Sequence, residues 1–106
     1  MKAAHLPEDE ELRMNNLLSY DILDSPEEKD FDDLAELISL LCNCKYALIG
    51  FMDRERQWFK ATKGITIKEE PRAISFCSHT ILQDKVMVVY DAKKDERFFD
   101  NPYVTG

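Results

Sequence analysis

Tyr46-Ala47-Leu48-Ile49-Gly50-Phe51-Met52 decides the fold. Its apolar residues fall on both alternating faces, the pattern of a central strand covered on two sides. The polar Asp53-Arg54-Glu55-Arg56 that follows is compact enough for a hairpin connection. Gln57-Trp58-Phe59-Lys60-Ala61-Thr62 then reads as the returning strand, ended by Lys63-Gly64. Strands are thus expected over 46–53 and 57–62, with a third over the β-branched 86–90. Glu69-Glu70-Pro71-Arg72 between them reads as a loop.

Helical spacing surrounds this hairpin. Pro7 suits a first turn, Glu8 to Glu11 put negative charge at the positive end of the dipole, and Met14, Leu17, Leu18 and Ile22 form one stripe. A helix is expected over 7–22. A second, over 26–42, has a capping box in Ser25 and Glu28 with Pro26 at its first position. Its apolar face is Phe31, Leu34, Ala35, Ile38, Leu41 and Cys42. Ser75 is placed to cap a short helix over 75–82, and Asn101-Pro102 marks a turn in the charged, aromatic stretch after Asp91. The class is α+β, with an antiparallel sheet and helices on one face.

Lys and Arg number 14 and Asp and Glu 21 among 106 residues, a net charge of −7. Nucleic-acid binding through a basic face is excluded by that balance. No apolar run approaches the ~20 residues of a membrane-spanning helix, and the N-terminus has no apolar signal segment. Three cysteines without framework spacing fit a reduced, cytoplasmic setting. A central-type strand with one sequence-adjacent partner leaves backbone exposed at an edge, which tends to recruit another chain. The sequence also stops at Thr105-Gly106 without a closing element. We therefore expect a portion of a larger domain, and a homo-oligomer, with strand exchange as one route.

Four stretches resemble the GAF domains at the N-terminal end of bacterial sensor histidine kinases and diguanylate cyclases. They are Tyr20-Asp21-Ile22-Leu23-Asp24-Ser25-Pro26-Glu27 with Phe31-Asp32-Asp33-Leu34; Arg56-Gln57-Trp58-Phe59-Lys60-Ala61; Ser75-Phe76-Cys77-Ser78-His79; and Asp91-Ala92 leading to Asp95-Glu96-Arg97-Phe98-Phe99-Asp100-Asn101-Pro102. The resemblance implies that 1–106 is the N-terminal portion of a single GAF domain, incomplete before its last strands and C-terminal helix. It further implies a non-catalytic sensory module, not an enzyme, that binds a small molecule or relays a conformational signal to a kinase or cyclase domain. A purely structural dimerisation module and a cysteine-based redox sensor or enzyme are the competing classes.

Ligand contact is expected from Trp58, Phe76, Cys77, His79 and Arg97, each weighed against plain packing. Phe59 alternates with Trp58 on the strand, and core packing is the safer reading of both. Arg72, like Arg97, is a candidate anion contact in a cavity, with surface pairing to the abundant carboxylates as the safer reading. Bilin-binding members of the family often carry a histidine directly after the chromophore cysteine; here Ser78 intervenes between Cys77 and His79, which argues against a covalent pigment. Cys42, Cys44, Cys77 and His79 lack zinc-site spacing, so no metal and no cofactor are expected. No Gly-rich phosphate loop or Gly-x-Ser-x-Gly elbow is present, so no catalytic residue is named.

Overall fold

The computed structural model describes residues 3–105; Met1, Lys2 and Gly106 of the expected unit lie outside them. Strands β1 (Ala47–Met52), β2 (Arg56–Lys63) and β3 (Glu69–Pro71) form an antiparallel sheet in the order β1-β2-β3. Helices α1 (Glu10–Leu18), α2 (Lys29–Leu41), α3 (Cys77–Thr80) and α4 (Pro102–Thr105) accompany it, with 3-10 turns at Arg72–Ile74 and Ala92–Lys94. The α+β class expected from the sequence is the class observed.

The hairpin forms where its apolar pattern places it. Its ladder runs from Ala47 opposite Lys63 to Met52 opposite Gln57, and shifts between Ile49 and Gly50. Ile49 pairs with Ala61 and Gly50 with Phe59, so Lys60 is the extra residue of a bulge. Gly64 closes the strand at φ +85°, and a Cβ there would stand 2.3 Å from the Lys45 carbonyl oxygen. Only glycine fits that approach.

Helix α2 packs against the hairpin through Phe31 and the fully buried Ala35, whose small side chain lets the helix come close. Asn43 ends it in the left-handed region at φ 50°. The Asn43 and Cys44 N–H groups donate to the Leu40 and Ser39 carbonyls at 3.3 and 3.0 Å, which is a Schellman motif. Met14 of α1, Ala47 and Met52 of β1, Trp58, Phe59 and Ala61 of β2, and Phe98 complete the buried apolar set among the described residues. Among the described residues no helix is long and apolar enough to cross a membrane.

Several expected boundaries move. The first helix covers Glu10–Leu18 rather than 7–22, because residues 7–9 form a turn and Asp21 adopts a φ of 51° that no right-handed helix continues through. The second starts at Lys29, not 26, and the Ser25–Glu28 capping box does not form: Glu28 is the N-cap and makes no side-chain cap bond. The Ser25 hydroxyl is engaged instead by the Ile22 carbonyl and by Lys60. Only Cys77–Thr80 of 75–82 is α-helical, although Ser75 Oγ does accept from the Cys77 N–H at 3.1 Å.

The strand expected over 86–90 is absent. Among the described residues this stretch pairs with no strand, and Val86 and Tyr90 are 87% and 96% exposed. β-Propensity expresses a fit to a half-buried pleated surface, and none lies alongside. The ladder partner of β2 is Glu69–Pro71, read above as a loop, which pairs with Arg56, Gln57 and Trp58. Two glutamates and a proline carry no apolar alternation by which to find it.

Candidate functional site

Three of the five expected ligand contacts converge on a residue the sequence reading did not single out. Phe98 is completely buried. Phe76 stacks on it with centroids 4.0 Å apart and planes 9° from parallel, and the His79 ring meets its edge at 5.1 Å. Phe76 and His79 reach one neighbour because three residues separate them about the first turn of α3. The Arg97 guanidinium carbon lies 5.0 Å from the Phe98 centroid, within cation–π range. Cys77, next to Phe76 in the chain, is half-buried.

The turn at 95–101 aims these groups. Asp95 Oδ1 accepts from the Arg97 N–H at 2.9 Å, and the Phe98 and Phe99 N–H groups donate to the Asp95 carbonyl. Arg97 Nε and Nη2 clasp the Asp95 carboxylate at 3.0 and 2.8 Å, leaving Nη1 against Met87 Sδ at 3.4 Å. That clasp holds the Asp95 carboxyl down at about 2 and pushes the Arg97 guanidinium up. Buried Asn101 donates from Nδ2 to the Ile74 carbonyl at 2.8 Å, tying the turn to the segment ahead of α3. Of Phe98-Phe99, one ring is buried and the other 55% exposed. The pair itself was a visible signal; its orientation was not.

Trp58 does not join this cluster. It lines a separate open cleft of about 620 Å³ together with Asp24, Glu27, Asp32, Lys60 and Lys68. Lys60, turned inward at the bulge, has no side-chain exposure. Its ammonium donates to Ser25 Oγ at 2.8 Å and the Pro26 carbonyl at 2.5 Å, and pairs with Glu28 at 2.6 Å. Three acceptors saturate its three donors. The Phe31 ring lies 5.4 Å from the same nitrogen.

A second buried pair ties α1 to the sheet. The Glu10 carboxylate accepts from Arg13 Nε at 2.8 Å and from Arg72 Nη1 at 2.6 Å. Arg72 also donates to the Asp53 and Arg54 carbonyls at 3.2 Å, and Arg13 to the Met52 carbonyl at 2.6 Å. Hydrogen bonds from Arg13 and then Arg72, against the opposing effect of burial, lower the Glu10 carboxyl to about 2. Glu10 is thus buried in an ion pair, and Arg72, for which surface pairing to carboxylates is the safer sequence reading, makes that pair in the interior. Ser75 Oγ donates to Gln57 Oε1 of β2 at 2.7 Å, and burial pushes the neighbouring Glu70 carboxyl up.

Cys42 and Cys44 bracket the Asn43 helix end, so their spacing follows from a C-cap. Among the described residues no three His, Cys, Asp or Glu side chains gather as they would around a metal ion.

No family model matches the chain. A cyclic di-GMP phosphodiesterase of Pseudomonas aeruginosa is 38% identical to it over 100 residues, which is 94% of this chain and 17% of that protein. The chain thus spans about a sixth of the length of that curated relative. The relative is named as a phosphodiesterase of cyclic di-GMP. This finding overturns the expectation of a non-catalytic sensory module serving a kinase or cyclase, and with it the expectation that the chain has no enzymatic role.

Proposed function

We propose that this chain works in the hydrolysis of cyclic di-GMP, as one segment of a phosphodiesterase. The observation that carries this reading is the 38% identity extending over 94% of the chain. GAF-like architecture is the structural part of the reading, with 1–106 the N-terminal portion of one such domain, working in the cytoplasm. Oligomerisation with further copies of itself belongs to it as well.

Cyclic di-GMP presents two guanine bases and two phosphodiester anions. The cluster of Phe76, His79 and Arg97 around Phe98 offers matching groups. Arg97 keeps Nη1 against a thioether, a weak acceptor that a phosphate oxygen outcompetes. His79 and Phe76 add an aromatic wall for a base. Trp58, in the other cleft, has no part in this contact.

The test is chromatography of the linear dinucleotide released from cyclic di-GMP, using the chain and the full-length protein that carries it. Turnover that falls about tenfold or more in Arg97→Ala, as loss of a charged phosphate contact implies, supports the reading. Absence of turnover from both preparations overturns it.

A further inference from the structure

The open cleft beside β2 holds more charge than the protein itself neutralises. Its walls come from residues 24–68 alone: the connector into α2, the first turn of that helix, β2, and the segment returning to β3. The outer wall, Thr66 to Lys68, runs along the edge of β2 opposite β1, where the Phe59 N–H donates to the Lys68 carbonyl at 2.9 Å. Its volume of about 620 Å³ lies within the range of small-molecule sites. Five charged side chains line it, and two are already matched. Lys60 is saturated by its three acceptors, and both oxygens of Asp24 accept from Arg56, at 2.9 and 2.7 Å. Among the described residues, the side chains of Glu27, Asp32 and Lys68 enter no ion pair and no hydrogen bond. Glu27 and Asp32 stand on the connector and α2, and Lys68 on the outer wall.

We propose that this cleft binds a free basic amino acid, arginine or lysine. At neutral pH such a molecule carries two cations and one anion, the counterpart of two carboxylates and one ammonium. Glu27 and Asp32 meet its α-ammonium and side-chain cation, and Lys68 meets its α-carboxylate. Each contact is a charge-assisted hydrogen bond, about twice as strong as a neutral one. The methylene stem lies against Trp58 and Ile67, as such stems do along apolar surface. An anionic ligand would meet two unpaired carboxylates, and a polyamine would meet Lys68, so like charge rejects both. The cleft shares no residue with the cluster around Phe98, which makes this binding independent of any contact with cyclic di-GMP there.

Isothermal titration calorimetry of the chain with arginine, lysine, agmatine and citrulline tests this. Agmatine lacks the carboxylate of arginine and citrulline its side-chain charge, so each should bind at least about tenfold more weakly than arginine. Lys68→Met and Asp32→Asn change exposed residues, so circular dichroism stays unchanged. Lys68→Met should weaken arginine binding at least about tenfold and abolish the advantage over agmatine, while the advantage over citrulline persists. Asp32→Asn should weaken arginine by a similar factor and leave its advantage over agmatine intact. Absence of saturable binding of both amino acids at millimolar concentration overturns the proposal, as does equal binding of arginine, agmatine and citrulline. Binding that both substitutions leave unchanged overturns this site. None of these outcomes bears on cyclic di-GMP turnover.

Discussion

Replacing Glu10 by Gln removes a carboxylate held by two guanidinium groups while keeping its shape. The carboxyl is lowered from 4.5 to about 2, and at ~1.4 kcal/mol per pK unit this corresponds to roughly 3 kcal/mol of stability at neutral pH. Glu10 is only 9% exposed, so solvent screening takes little from that figure. The unfolded chain, with the ordinary carboxyl, binds the proton first as pH falls, so native stability declines between about pH 4.5 and 2 and is complete above that window. Urea unfolding of the parent chain and Glu10→Gln at pH 7 and at steps down to pH 2 measures it. The two proteins should differ by about 3 kcal/mol at pH 7 and converge as pH approaches 2. The carboxyls of Asp24 and Asp95 are also lowered by arginine partners, but they titrate alike in both proteins and cancel in the difference; Glu11, lowered chiefly by Arg54, feels the Glu10 charge only as the smallest of its influences. Equal stability at pH 7, or a gap that stays constant in acid, would refute the assignment of Glu10 as the carboxylate that pins α1.

Lys60→Met, close in shape, strips Ser25 and the Pro26 carbonyl of a partner and should cost about 2–3 kcal/mol in urea unfolding. Glu28→Gln, altering a half-exposed partner of the same ammonium, should cost under about 1 kcal/mol; the reverse ranking would show that Lys60 is held by the surface ion pair. Gly64→Ala forces a Cβ into the Lys45 carbonyl oxygen at positive φ and should lower stability by more than about 2 kcal/mol. Phe98→Ala should cost about 3–5 kcal/mol and broaden the His79 ring signals in NMR spectra, while Phe99→Ala, at an exposed position, should do neither.

The parts of the fold that local periodicity specifies were legible, and the parts set by distant partners were not. The apolar run of β1, the return through Trp58 and Phe59, and the stripe of α2 each announce their element. The start of α2 was misplaced because Ser25, Pro26 and Glu28 read as a cap, whereas a lysine more than thirty positions away recruits all three. Val86–Tyr90 has the composition of a strand without a neighbour, while Glu69–Pro71 has a neighbour without the composition. In the candidate site, Phe76, His79 and Arg97 were found as residue types suited to ligand contact. Nothing local marked Phe98, since only folding decides which ring of a Phe-Phe pair turns inward. Trp58 was grouped with them by type, and strand alternation with the bulge placed it elsewhere.

The guanidinium of Arg72 gathers a carboxylate from α1 and two carbonyls from the turn between β1 and β2, at sequence separations of 62, 19 and 18. A helix of nine residues is too short to persist alone in water. Helix α1 therefore owes its place to the hairpin and residue 72, and we expect it to detach early when the fold loosens. Its amides should exchange through a sub-global opening that leaves the β1-β2 ladder intact. That pattern would mark the helix as the part of this fold whose hold depends on a distant guanidinium.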